Sequence, residues 1–174
     1  MLLGDCGGVG EHKPSIVDAF ALALCGHTKQ ANELIQEART RFHKDTLIQA
    51  IRVPMASAAI AINKSNPDAA IEFLRSAAPY DNGYPGVIYV RGLAYLRAHR
   101  AAEAAAEFQR ILHSTELSKP FGALSYLGLA RAYVLQGDTS KAKAAYQDFL
   151  TLWKDADPDI PIFIAAKAEY AKLH

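Results

Sequence analysis

The stretch Tyr126–Leu150, YLGLARAYVLQGDTSKAKAAYQDFL, decides how this chain folds. It holds two helical segments around a short break. Leu129, Ala130 and Tyr133 recur at helical spacing in the first segment, and Ala142 and Tyr146 in the second. Gly137 and Asp138 interrupt them. Glycine ends helices without a Cβ penalty, and aspartate caps the one that follows. Small side chains at Ala130 and Ala142 let two helix axes approach closely, where larger ones would hold them apart.

The same arrangement recurs three times upstream. Ala31, Ala70, Ala104 and Ala142 fall in register, at spacings of 39, 34 and 38 residues. Four residues after each comes a larger apolar residue: Ile35, Leu74, Phe108 and Tyr146. Twelve residues before each stands another small one: Ala19, Ala58, Gly92 and Ala130. Three residues after those come Leu22, Ala61, Tyr95 and Tyr133. A recurrence every 34 to 39 residues marks a stacked repeat, because one helical pair cannot bury both its faces.

Each pair of small residues brackets a break: CGHTKQ (25–30), NKSNPD (63–68), RAHRAA (97–102) and LQGDTS (135–140). Thr28, Asn66 and Asp138 are the expected caps, with Pro67 at a first helical position. His99 and Arg100 give a weaker turn signal than the other three breaks. VIYV (87–90) is β-prone in isolation but leads into RGLAYL at helical spacing. PYDNGYP (79–85) reads as a loop between repeats, presenting Tyr80, Asn82 and Tyr84.

These positions resemble the signature of the tetratricopeptide repeat. The fourth unit fits through Leu129, Ala130, Tyr133, Gly137, Asp138, Ala142 and Tyr146, and the third through Gly92, Tyr95, Ala104 and Phe108. The first two units fit less closely: Ala61 replaces an aromatic, and Pro54 sits near a helix start. The resemblance implies an all-α fold, a right-handed α-solenoid of about four helical hairpins plus a C-terminal capping helix. The expected layout is a flexible leader over 1–14 and a repeat array over 15–153. Its hairpins fall at about 15–43, 46–79, 86–113 and 120–153, and the cap at 159–174. In that cap Asp159 is a candidate N-cap, and Lys167, Glu169 and Lys172 are expected to face water. QGDTSKAKAAYQDFLTLWKDADPDIPIFIAAKAEYAKL (136–173) and AAPYDNGYPGVIYVRGLAYL (77–96) are also similar to C-terminal repeat regions of acidobacterial, eukaryotic-like serine/threonine kinases. No glycine-rich phosphate loop, HRD or DFG is present, so the likeness is to such a tail alone.

In this family the first helix of each unit lines a concave surface that binds proteins or peptides. Carried onto this sequence, the candidate groove residues are Arg52, Met55, Asn63, Tyr89, Leu93, Arg97, Leu127 and Arg131. The surface is apolar with scattered arginines, which suits an amphipathic or extended segment bearing acidic residues. For Tyr89, Leu93 and Leu127, packing between helices is an equal alternative. Chaperone-binding members clamp a C-terminal carboxylate with lysine and asparagine; Ile16 and Phe20 occupy those places here, so that clamp is not expected. The implied function is noncatalytic protein binding by a scaffold or sensor module, without cofactor or metal.

One short motif points elsewhere. GDCGG (4–8) resembles the active-site loop of chymotrypsin-like proteases, with Cys6 as nucleophile. It precedes any ordered element and has no β-barrel behind it, and His12 is only a sequence neighbour. A Gly-rich leader with an incidental thiol accounts for it better. GDCGGVG lacks the third glycine of a dinucleotide loop, because position 13 is lysine. The six histidines form no HExxH and no metal-spaced pair, and read as solvated or helix-end residues. The two cysteines leave one pairing open without requiring it. The net charge of +1 gives no general pull toward nucleic acid. The longest apolar runs are too short to span a bilayer, and the N-terminus lacks a secretory pattern. A soluble chain is expected, cytoplasmic if free-standing and extracytoplasmic if it is the tail of a membrane-spanning kinase. Self-association, with the array forming a structural oligomer, is the competing expectation.

Overall fold

A computed structural model describes residues 15–114 and 119–173. The described residues are all-helical and contain no strand. Among the described residues nine α-helices follow in order: α1 Ile16–Leu24, α2 Thr28–Arg41, α3 Val53–Asn63, α4 Pro67–Phe73, α5 Pro85–Arg97, α6 Ala101–Leu112, α7 Lys119–Gln136, α8 Thr139–Leu152 and α9 Pro161–Ala171. A π-helical turn, Ile48–Arg52, leads into α3, and a 3-10 helix, Leu74–Gly83, continues α4. The chain divides into two compact units, Met1–Val90 and Arg91–His174, with the division inside α5. The leader, with Cys6, His12 and the GDCGG motif, lies outside the described residues.

Four hairpins close on one backbone turn. In each break a single residue is left-handed: Gly26 at φ 88°, Ser65 at 56°, His99 at 55° and Gly137 at 77°. The next amide reaches back five residues: His27 to the Leu22 carbonyl, Asn66 to Ala61 and Arg100 to Tyr95, each at 2.9 Å, and Asp138 to Tyr133 at 3.0 Å. The left-handed residue itself bonds three back, to Ala23, Ile62, Leu96 and Val134. This pairing satisfies carbonyls that a helix end would otherwise leave open. The second helix then opens with the amides of Ala31, Ala70, Ala104 and Ala142 bonded to His27, Asn66, Arg100 and Asp138. The turn at His99 is therefore as well formed as the others, although its sequence is the least turn-like.

That geometry places the N-cap directly after the left-handed residue. Asn66 and Asp138 cap as expected, accepting from the Ala69 amide at 3.2 Å and the Lys141 amide at 3.0 Å. Thr28 does not cap α2: it is the first helical residue, His27 holds the cap position, and the Thr28 hydroxyl lies 3.5 Å from the Gly26 carbonyl. Ser15 opens α1 with a full capping box, its side chain facing the Val17 amide and Asp18 facing the Ser15 amide.

The small residues do what their spacing predicts. Ala19, Ala31, Ala58, Ala70, Ala104, Ala130 and Ala142 are all 0% exposed. The larger residues one turn on, Ile35, Leu74, Phe108 and Tyr146, are buried as well.

In the first unit α1 packs on α2 and α3, and α3 packs on α2 and α4. Two irregular segments follow from proline chemistry. Pro54 has no N–H to continue the α ladder, and the widened π turn lies immediately before it, with the Val53 amide bonded to the Ile48 carbonyl. Pro79 sits inside the 3-10 helix. The segment 79–85 is therefore not an open loop: it is helical through Gly83, and Asp81 is buried. Tyr80 and Tyr84 do stand exposed.

In the second unit α6 packs on α7, α7 on α8, and α8 on α9. The Phe108 ring fills the crossing. A Cβ added at Gly92 would lie 2.7 Å from that ring, and one at Gly128 would lie 2.5 Å from it. Both glycines are thus required by close approach of helix backbone to the Phe108 ring. α9 is capped by Ile160 with Pro161 in its first turn, not by Asp159, which is exposed. Its Ile162, Phe163 and Ala166 are buried, and Trp153 bridges Phe149 and Phe163 at 5.0 Å and 6.3 Å between ring centroids.

Candidate functional site

The eight residues expected to line a groove divide into three kinds of environment. Tyr89 and Leu93 on α5 and Leu127 on α7 are buried, Leu127 to 1% exposure. They belong to the packed interior and offer no open surface, so of the two readings the sequence allowed, the structure favours packing.

Two others are engaged in polar contacts. Asn63, at the end of α3, donates from Nδ2 to the Ala23 carbonyl near the end of α1, tying two first helices together. Its Oδ1 is buried without a hydrogen-bond partner. Arg131 on α7 forms a forked pair with Glu169 on α9: Nε donates to Oε2 and Nη2 to Oε1, both at 2.9 Å. The Tyr146 hydroxyl donates to the same Oε2 at 2.8 Å, and Gln147 Nε2 donates to the Tyr170 hydroxyl at 2.8 Å. A bidentate guanidinium–carboxylate pair with a third donor is a well-defined, charge-assisted arrangement.

The cluster shifts its titrating groups in opposite directions. Partial burial alone would push the Glu169 carboxyl up, but hydrogen bonds and charge from Arg131, aided by Tyr146 and Lys172, bring it below the usual carboxylate range. Burial raises the Tyr146 phenol well above its ordinary value, and the Glu169 hydrogen bond and charge raise it further. Glu169 is thus not the water-facing residue its helical position suggested. Lys167 and Lys172 are exposed, and the Lys167 ammonium lies 3.9 Å over the Phe163 ring.

The remaining three residues are accessible. Arg97 is exposed at the end of α5, and Arg52 and Met55 are partly exposed around the start of α3. Arg52 and Arg97 make no ion pair among the described residues. By contrast Arg91 is nearly buried and paired with Glu107 at 3.0 Å, which also takes Arg110 at 3.1 Å. The sequence did not separate these arginines, because partner distance across two helices is invisible to periodicity along one.

A feature the sequence did not indicate lies in the first unit. A cleft of about 640 Å3 runs past Arg39 of α2, Gln49 of the π turn, Pro54 of α3, and Glu72 and Phe73 of α4. Gln49 Nε2 donates to the Ala38 and Phe42 carbonyls, closing the end of α2. Phe73 is 42% exposed. The π turn that shapes this wall was foreshadowed only by Pro54.

Among the described residues no group of three or more His, Cys, Asp and Glu could hold a metal. His27, His43, His99 and His113 are exposed and stand at helix ends. Cys25 is buried and disulfide-bonded. No described helix is long and apolar enough to cross a membrane. No protein family, no curated protein and no solved structure matches the chain.

Proposed function

We propose that this chain is a noncatalytic interaction module of tetratricopeptide-like hairpins, which binds a protein or peptide segment bearing acidic residues. The observation that carries the reading is the fourfold identity of the hairpin turn, with a buried small residue on each side of it. Repetition of one rigid unit is how solenoid proteins build extended binding faces, and the same geometry supports the solenoid arrangement proposed for the array. The unpaired Arg52, at the end of the π turn with Met55 beside it, supplies cationic and apolar contacts in the first unit, and the unpaired Arg97 a cationic one in the second. The kinase-tail resemblance of residues 77–96 and 136–173 supports a regulatory or scaffolding role within a signalling protein.

The test is selection of peptides from a displayed random library on the full chain. Enrichment of segments combining acidic and apolar residues is expected, lost with Arg52→Glu or Arg97→Glu while helicity is unchanged. Enrichment that survives both variants but is lost with Arg39→Glu would move the site to the first-unit cleft. No enrichment, with light scattering showing defined oligomers, would favour self-association instead.

A further inference from the structure

α9 differs from the other helices of its unit in how it is held. It buries only Ile162, Phe163 and Ala166, and its polar links go to side chains of α7 and α8. It is reached through Trp153–Ile160, whose described backbone bonds are local, Ala156 to Trp153 and Ile160 to Asp157. Its main anchor is the carboxylate of Glu169 on Arg131, a residue of the first helix α7 that the sequence placed among the groove candidates. A segment with few buried apolar contacts and a polar anchor is the kind that opens locally below the global unfolding threshold.

We propose that α9 is an internal occupant of the second unit's binding face, and that this face takes an amphipathic helix of the same chemistry supplied by another protein. The inference rests on the reading of this chain as an interaction module. α9 itself gives the recognition pattern: an apolar pair at Ile162 and Phe163, a small residue at Ala166 one turn on, and a carboxylate at Glu169 that enters the Arg131 fork and accepts from Tyr146. The ligand is thus a helix whose glutamate follows an aromatic anchor by six residues. A helix without the carboxylate forgoes the forked pair with Arg131 and the hydrogen bond from Tyr146, which discriminates against it. Because α9 competes, the apparent affinity for such a helix is reduced by the fraction of molecules in which the face is open.

A labelled peptide spanning residues 158–173 is the probe, titrated into the full chain. Weakening the internal anchor with Glu169→Ala raises the open fraction, and peptide affinity is expected to rise about tenfold or more. The peptide carrying alanine at its own Glu169 position is expected to lose that gain, as is a chain combining Glu169→Ala with Arg131→Glu. Hydrogen exchange on the unmodified chain provides a measurement that needs no variant. α9 amides are expected to exchange by local opening, well before those of α8. Equal affinity of the two chains for the peptide, or α9 amides that exchange only with α8, would overturn the proposal. Early α9 exchange with an empty library selection would instead leave the latch standing and remove the binding function assigned to Arg52 and Arg97.

Discussion

The second and third hairpins share a turn and differ in what fills their crossing. In the second, Ala58, Ala70 and Leu74 are all fully buried, and Leu74 lies at the end of α4, where the chain tightens into 3-10 geometry. In the third, Gly92 and Ala104 meet with Phe108, in the middle of a complete α6, and the ring also faces the backbone at Gly128. The Phe108 ring leaves no room for a Cβ at glycines on two helices. Ring size alone does not require this, because Tyr146 is buried in a hairpin that carries Ala130 and Ala142. The lesson is that the repeat fixes the backbone and the place of the small residue, while how closely the filler approaches a backbone decides how small that residue must be.

The sharpest break of this comparison is Phe108→Ala. It empties the crossing that two glycines were shaped to accommodate, and should destabilise the chain by about 3–5 kcal/mol, read from urea unfolding. Gly128→Ala attacks the same contact from the other side. Alanine favours helix, but its Cβ would collide with a ring that has no free space, so a net loss of about 1–3 kcal/mol is expected. Combining it with Phe108→Leu should recover part of that loss, since the two changes act on one contact. Strict additivity of the pair would show that the ring is not what keeps Gly128 small.

Glu169→Gln probes the polar half of the second unit. It should cost about 1 kcal/mol near neutral pH, discounted because the pair is partly exposed. The sign with pH follows from the lowered Glu169 pKa in the folded state. Its contribution is complete above the unfolded value of about 4.3 and is lost as pH falls through the lower folded value. The difference between the two proteins in urea midpoint should therefore shrink from pH 7 toward pH 3; a constant difference would remove the carboxylate from the explanation.

The smallest effects lie in the turns. Ser65→Gly and His99→Gly each relieve a left-handed side-chain residue, offset by greater freedom of the unfolded chain, for a gain of about 0.5 kcal/mol in thermal or urea unfolding. Gly137→Ala, in the same backbone state, should lose about 1 kcal/mol. If all three changes were neutral, the turns would not share the left-handed residue.

Much of this was legible before the structure. Every alanine of the register is buried, because a helix crossing leaves its mark as residue size at a recurring place in each hairpin. The capping of α2 was misread because Thr28 has the right chemistry, while aligning the four turns would have pointed to His27, directly after the left-handed position. The 3-10 course of residues 74–83 was hidden because turn-forming residues there read as loop, although Pro79 already excluded a regular α-helix. Glu169 was read as solvated because its main partner lies on another helix. Arg131 is 38 residues away in the chain, and charge pairing at that separation has no periodic signature. The burial of three groove candidates was hidden in a similar way: spacing places Tyr89, Leu93 and Leu127 on first helices, but only packing shows that they are covered.

The central claim is that four breaks of unlike sequence adopt one turn. Backbone chemical shifts with HN–Hα couplings, measured by NMR on the full chain, test it directly. Positive φ is predicted at Gly26, Ser65, His99 and Gly137 and at none of their immediate neighbours. Negative φ at Ser65 and His99 would contradict it, leaving turns only where glycine stands and no fourfold repeat.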